Sequence, residues 1–315
     1  MLNILDVHGT DDLARIYLAY IGHGRHIEFV DSVDPRYPRT EKWCINVSTQ
    51  AGCPVGCIMC DAGRNFVGNL SAAEILAQVR YVIDSHPELQ PSSHPKLKIH
   101  LARMGEPLLN PNIVDVLTTI SDKLPYDGVM PCVATVAPQS QLRRLERIAE
   151  IKSHLFSRGN FQFQFSVNST NEEYRRRMIP IPTLSFDQMA EFGWSYFNPG
   201  DRKINLNFAL SADSTIDPDV LIHHFDPAVF LVKLTPINPT LTASENGLVS
   251  RLTYDHGNEA DSVVEQLRGR GFDVILSIGA PGEIALGSNC GQLVERWFSM
   301  RNGHVAPNPA VTPKH

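Results

Sequence analysis

The sequence predicts an α/β protein, with a parallel sheet covered by helices. Three observations predict it. From Lys42 onward, short segments rich in β-branched and aromatic residues alternate with segments whose apolar residues recur at helical spacing. Two helical segments open on capping boxes, Ser71-x-x-Glu74 and Ser185-x-x-Gln188, which mark their starts. Breakers punctuate the joins. Repeated βα units imply parallel strands with helices outside them. Closing such a sheet as a full or partial barrel puts any site at the carboxyl ends of the strands.

The elements follow in order. Met1–Tyr37 is short and mixed in character. Asp11–Tyr20 reads as a brief helix, His26-Ile27-Glu28-Phe29-Val30 as extended, and Asp34–Arg39, with Pro35 and Pro38, as a turn-rich connection. Strands are expected at Lys42–Ser48, Leu97–Ala102, Val129–Val136, Phe161–Val167, Ile204–Leu210, Val229–Thr235 and Phe272–Ile278. Helices are expected at Ser71–Ser85, Asn112–Leu124, Ser140–His154, Ser185–Phe197, Asp217–Phe225, Asn258–Arg270 and Ser288–Ser299. The partition is a short N-terminal segment over 1–38, a core over 39–300, and a tail over 301–315 expected to be disordered. No internal repeat is visible.

Composition narrows the function. Lys and Arg number 28 against 34 Asp and Glu, a net charge of −6. A large nucleic-acid footprint normally brings a basic surface, so the balance weighs against one without excluding it. No apolar run is long enough to cross a bilayer, and Met1–Tyr20 has no signal-peptide pattern. Six cysteines in 315 residues, three of them clustered, argue for a reducing compartment, the cytoplasm, rather than a disulfide framework.

Those three lie in Gly52-Cys53-Pro54-Val55-Gly56-Cys57-Ile58-Met59-Cys60-Asp61, spaced C-x-x-x-C-x-x-C after the first core strand. Thiolates are soft ligands, and three on one short loop suit an iron–sulfur cluster. Three ligands for a four-iron cubane leave one iron open, and an open position is where chemistry occurs. A three-cysteine zinc site and buried structural thiols are the alternatives; no Cys or His follows closely to complete a zinc site. After the second core strand, Arg103-Met104-Gly105-Glu106-Pro107 combines a glycine permitting close backbone approach with a carboxylate suited to an ammonium group. An ordinary turn is its bland reading.

The cysteine spacing resembles the signature of the radical S-adenosylmethionine (SAM) superfamily, and Gly105-Glu106-Pro107 resembles its "GGEP" element. A narrower resemblance runs in order along the chain. Ser48-Thr49-Gln50-Ala51-Gly52-Cys53, Asn69-Leu70-Ser71-Ala72-Ala73-Glu74-Ile75, Met104-Gly105-Glu106-Pro107-Leu108-Leu109-Asn110, Phe165-Ser166-Val167-Asn168-Ser169-Thr170-Asn171, Leu234-Thr235-Pro236-Ile237-Asn238-Pro239 and Asn289-Cys290-Gly291-Gln292-Leu293 are similar to the class A radical SAM methyltransferases. These are the ribosomal RNA adenine C2/C8 methyltransferases.

The resemblance implies a partial (βα)6 TIM-like barrel with a short N-terminal extension, lacking the family's N-terminal RNA-binding domain. It implies a 4Fe–4S cluster on Cys53, Cys57 and Cys60, with SAM chelating the free iron, and SAM contacts at Gly105, Glu106, Ser166, Val167, Asn168 and Asn238. It further implies that Cys290 accepts a methyl group from one SAM, and that a radical from a second SAM activates that methyl for addition to an unactivated carbon. A buried structural thiol is the other reading of Cys290. Glu28 falls near the family's proton-accepting glutamate; a solvent-facing Glu is the bland reading. An external one-electron reductant, flavodoxin- or ferredoxin-like, is implied as a partner.

Departures matter as much. Ala134 stands where the family has a serine, and Asn168 where it has a histidine. The family's second cysteine, which resolves a covalent adduct, corresponds to Asn46. Cys44 would face the same side of that strand, and Cys44 and Cys132 are either core thiols or replacements. The expected lack of the N-terminal RNA-binding domain, with the acidic charge, favours a small nucleoside-like or natural-product acceptor, and the absent thiol at Asn46 motivates another reaction outcome. The alternatives are another radical SAM outcome (sulfur insertion, hydrogen abstraction or rearrangement), a true ribosomal RNA methyltransferase, and a metal-binding interaction protein without turnover. His223-His224, Arg175-Arg176-Arg177 and the residues Trp43, Trp194 and Trp297 read as ordinary helix-face and packing residues.

Overall fold

The computed structural model describes residues 2–34, 36–156, 159–252, 259–289 and 293–301. Twelve strands form: β1 Asn3–Thr10, β2 Ala14–Tyr20, β3 His26–Val33, β4 Trp43–Val47, β5 Gln50–Ala51, β6 Gly68–Asn69, β7 Leu97–Leu101, β8 Val129–Thr135, β9 Gln162–Ser166, β10 Ile204–Leu210, β11 Phe230–Pro236 and β12 Val274–Leu276. The helices are α1 Ala72–Asp84, α2 Ile113–Lys123, α3 Leu142–Leu155, α4 Glu172–Met178, α5 Phe186–Tyr196, α6 Pro218–His224, α7 Leu241–Glu245, α8 Glu259–Gly269, α9 Pro281–Leu286 and α10 Leu293–Arg301. None is long and apolar enough to cross a membrane.

Ten strands share one sheet in the order β1-β2-β3-β4-β7-β8-β9-β10-β11-β12. From β4 to β12 every neighbour pair is parallel. Six βα crossovers link these strands, as expected. The ladder does not close: among the described residues β12 pairs only with β11. The sheet nevertheless curls. Cys44 on β4 and Ile275 on β12 line one cavity, although a flat sheet would hold strands six steps apart about 29 Å from each other.

Local chemistry explains the helix starts. Both capping boxes form, with the Ser71 and Ser185 hydroxyls accepting from the backbone N–H of Glu74 and Gln188. Asp217 caps α6, with Pro218 at its first position. The outward residues of the strands, such as Phe163, Phe208 and Val232, pack against Val79 of α1, Ile120 of α2, Phe192 of α5 and Leu267 of α8 in one core. Fully burying each such side chain contributes about 1.5–3 kcal/mol.

The N-terminal expectation is corrected. Asp11–Tyr20 is not a helix; its larger part is β2, antiparallel to both β1 and β3. β3 in turn pairs antiparallel with β4, so the N-terminal segment extends the main sheet. The helical look of the segment comes from burial on both faces. Tyr17 and Ala19 enter the main core, while Ala14, Ile16 and Leu18 pack with Leu293 and Val294 of α10. Such a strand reads as a continuous apolar run rather than an alternation.

Three smaller readings also change. Trp194 is 61% exposed and is not a packing residue, whereas Trp43 is fully buried. Arg175 is buried and donates to the Leu184 carbonyl at 3.0 Å, unlike its solvated neighbour Arg176. The helices α4, α7 and α9 were not expected. Of the tail, residues 302–315 lie outside the described residues, as does Cys290.

Candidate active site

Three loops meet at the carboxyl ends of the strands. The first follows β4 and carries the clustered cysteines. Its base is closed by the β5–β6 ladder, Gln50 opposite Asn69 and Ala51 opposite Gly68. Gly52 there has φ +79°, and a Cβ would lie 1.9 Å from the Asn65 carbonyl oxygen, so only glycine fits. The region around α7 pins the loop from outside. Thr240 Oγ1 donates to the Met59 carbonyl at 2.9 Å, and Asp61 accepts from the backbone N–H of Thr242 at 2.8 Å and Leu241 at 3.2 Å.

The second loop follows β7. Met104 O accepts from the N–H groups of Thr49 and Gln50, and Gln50 Oε1 accepts from Glu106 N at 2.8 Å, which locks this loop to the first. Gly105 has φ +101°, and a Cβ would stand 2.6 Å from Thr49 Oγ1. Glu106 is buried with its carboxylate held by Leu108 N at 3.0 Å, Val136 N at 2.9 Å and the Thr135 hydroxyl. Burial raises its pKa to about 7, against the lowering effect of those donors. The third stretch follows β11 and carries Asn238.

These loops and the inner face of the sheet enclose one cavity of about 810 Å³. Cys53, Cys57, Cys60, Gly105, Glu106, Ser166 and Asn238 all line it. Seven residues called from the sequence are thus brought together. Val167 and Asn168 are not on its wall. The Val167 side chain is fully buried in the core. Asn168 adopts φ +66° and turns its Oδ1 to Ala209 N at 3.1 Å, tying β9 to β10. Ala134, where the family's serine was expected, does line the cavity.

Glu28 is neither solvent-facing nor on the cavity wall. It is fully buried on β3, with Oε1 2.9 Å from Arg103 Nε and Oε2 accepting from Val294 N at 3.0 Å. Sequence reasoning missed Arg103, which lines the cavity and reaches the carbonyls of Ser288 and Gly287 at 2.6 and 2.9 Å. Cys44, Asn46 and Cys132 all line the cavity, so Cys44 does share the side of Asn46 and neither thiol is confined to the core. Sequence reasoning also passed over Lys233 and His100 on the same wall; the available signal was a basic side chain inside a largely apolar strand.

The site fits an iron–sulfur cluster and SAM. The three thiols are unpaired by disulfides and face one space. Burial pushes each thiol pKa up, with neighbouring thiols adding to the rise at Cys53 and Cys57, and that of Cys53 reaches about 12. A cationic metal centre relieves that repulsion. Glu106 has three of about four lone-pair positions occupied, leaving one for an ammonium donor.

No protein-family model matches the chain. The dual-specificity RNA methyltransferase RlmN of Marinobacter nauticus is 24% identical over 286 residues, covering 83% of this chain and 74% of that protein. That of Desulfosudis oleivorans is 29% identical over 243 residues, covering 75% of this chain and 61% of that protein. A crystal structure of a radical SAM methyltransferase from Sphaerobacter thermophilus superposes with a TM-score of 0.68 at 20% identity, covering 88% of this chain and 77% of that one, a likeness of fold. The cysteine loop on the cavity and these relatives mark the chain as an enzyme similar to the RlmN-type RNA methyltransferases, with a site that fits a 4Fe–4S cluster and SAM.

Proposed function

We propose that the protein is a methyltransferase that methylates an unactivated carbon of a small nucleoside-like or natural-product acceptor, with Cys290 as the methyl carrier. One observation carries the reading: the three clustered thiols, Gly105, Glu106, Ser166 and Asn238 border a single cavity of about 810 Å³. That volume falls in the range of small-molecule sites. When bound, the cluster and SAM supply one-electron cleavage of a carbon–sulfur bond and an electrophilic methyl group.

The chain's own residues would do the rest. Cys53, Cys57 and Cys60 would hold the cluster, on a loop fixed by Asp61 and Thr240. Glu106, oriented by Thr135, Val136 and Leu108, would receive the SAM ammonium group. Gly105 would let the backbone approach SAM, and Ser166 and Asn238 would contact it. The curled sheet would shield the chamber from water. We take residues 39–300 as the catalytic core. A cytoplasmic location suits the unpaired thiols, and a flavodoxin- or ferredoxin-like protein would supply the electron.

The test is anaerobic reconstitution followed by incubation with methyl-labelled SAM and a strong reductant. Iron and sulfide on the protein, 5′-deoxyadenosine formation and label on Cys290 are expected. Turnover with Cys290 unlabelled would remove it as carrier, and a product lacking an added methylene would point to another radical SAM outcome. A second reading, RNA as acceptor, is favoured by the names of the relatives, which are RNA methyltransferases. Labelled methyl recovered in purified RNA rather than in the small-molecule fraction of a cell extract decides for it.

A further inference from the structure

The cavity extends down the inside of the sheet, and there one charge stands unmatched. Lys233 is the central residue of β11, whose buried positions Phe230, Val232 and Leu234 alternate with half-buried ones, of which Lys233 and Thr235 face the cavity. Its sheet neighbours are Asn207 on β10 and Ile275 on β12. Among the described residues no carboxylate pairs with its ammonium group and no hydrogen bond engages it. Burial, helped by the like charges of Lys98 and Lys42 and opposed by Cys132, lowers its pKa to about 8.

The other ionic groups on the wall are matched. Asp34 meets Arg36 and Lys42, Arg103 meets Glu28, Glu106 is held by three donors, and Glu283 accepts from Ala280 N at 2.8 Å. His100 is driven to its neutral form, chiefly by burial. Beside Lys233, Asn207 is nine-tenths buried, and its Oδ1 has no hydrogen-bond partner. A cation without a counter-charge and an orphaned buried carbonyl oxygen each carry a desolvation cost that a ligand can relieve. Both groups border the space that the cofactor loops close. Asn238 lies five residues further along the same chain, about 16 Å away if fully extended.

We propose that Lys233 is the recognition residue of the acceptor site. The acceptor is then a small anion, a phosphate monoester or a carboxylate, whose charge meets Lys233 and whose amino or hydroxyl hydrogen meets Asn207 Oδ1. The inference rests on reading this cavity as the reaction chamber, and it adds the chemical class of what enters. One lysine in a deep chamber suits a single anionic group. A nucleic-acid footprint would need many cations on a surface, in a chain whose net charge is −6.

The test uses the reconstituted holoenzyme with SAM bound. Orthophosphate and acetate serve as the probes, with binding followed by equilibrium dialysis. At least one of them is expected to bind saturably, and about tenfold more weakly to Lys233→Met. Lys233→Arg, which keeps the cation, is expected to retain most of the binding. Iron content and SAM affinity are expected to stay at wild-type values in both variants. Whichever anion binds identifies the acceptor's charged group. Equal binding to wild type and Lys233→Met, or no saturable binding of either probe to wild type, overturns the proposal. So does a loss of SAM affinity in Lys233→Met, which would assign the lysine to the cofactor. Anion binding needs no turnover, so its failure is distinct from a failure of methyl transfer.

Discussion

Glu28 and Arg103 form a buried ion pair, Oε1 to Nε at 2.9 Å, that joins the N-terminal strands to the loop after β7. Arg103 holds the carbonyls of Gly287 and Ser288, and Glu28 holds the N–H of Val294, so the pair also grips the chain on both sides of residues 290–292. Neither side chain is exposed. The glutamate is therefore engaged as a counter-ion and a positioning group.

Breaking this pair from one side is expected to be costly. Arg103→Met leaves a buried carboxylate without its cation and should lower stability by about 3–5 kcal/mol. Pairing it with Glu28→Leu should restore most of that, but not all, because Val294 N loses its acceptor. Urea denaturation of the two variants checks it; equal losses in both would show that the ion pair is not the cause.

Cysteine replacements should separate cleanly. Alanine at Cys53, Cys57 or Cys60 should abolish iron and sulfide incorporation, because three thiols leave no spare ligand on the loop. Alanine at Cys44 or Cys132 should leave metal content unchanged, since both lie away from that loop on β4 and β8. Iron analysis after anaerobic reconstitution is the measurement.

Glu106 should impose a pH dependence on the apo protein. Its folded pKa is raised, chiefly by burial, from 4.5 to about 7. The folded state therefore binds the proton more tightly than the unfolded chain. The stabilisation is fully present below about 4.5 and is lost as pH rises through about 7, amounting to about 3 kcal/mol at most. Melting temperature followed from pH 4 to 8 should show Glu106→Gln lacking this component of the wild-type profile. SAM needs the ionised carboxylate, so its affinity should move the opposite way and weaken as pH falls below about 7.

Gly105→Ala is expected to combine strain and collision. The residue sits at φ +101°, and the new methyl group would meet Thr49 Oγ1 at 2.6 Å. A loss of about 1–3 kcal/mol in stability, with weakened SAM binding, should follow. Calorimetry of the apo and SAM-bound forms reads both effects.

The sequence determined the elements governed by local rules. Both capping boxes start their helices within one residue of the expected position, and all seven core strands appear, because N-cap bonds and β-branched runs are properties of short segments. The spacing of Cys53, Cys57 and Cys60 and the Gly105-Glu106 pair were legible for the same reason. Tertiary structure decided whatever needed a distant partner. Residues 14–20 are a strand because β1 and β3 flank them and α10 covers one face, which outweighs their helical spacing. Val167 and Asn168 left the cavity wall because β10 claims their backbone. Glu28 became half of an ion pair because Arg103, 75 positions away in the chain, reached it. Lys233 acquired meaning only when curling of the sheet set its unmatched charge in one cavity with the cysteine loop, since sequence spacing carries no information about which strand faces complete a common chamber.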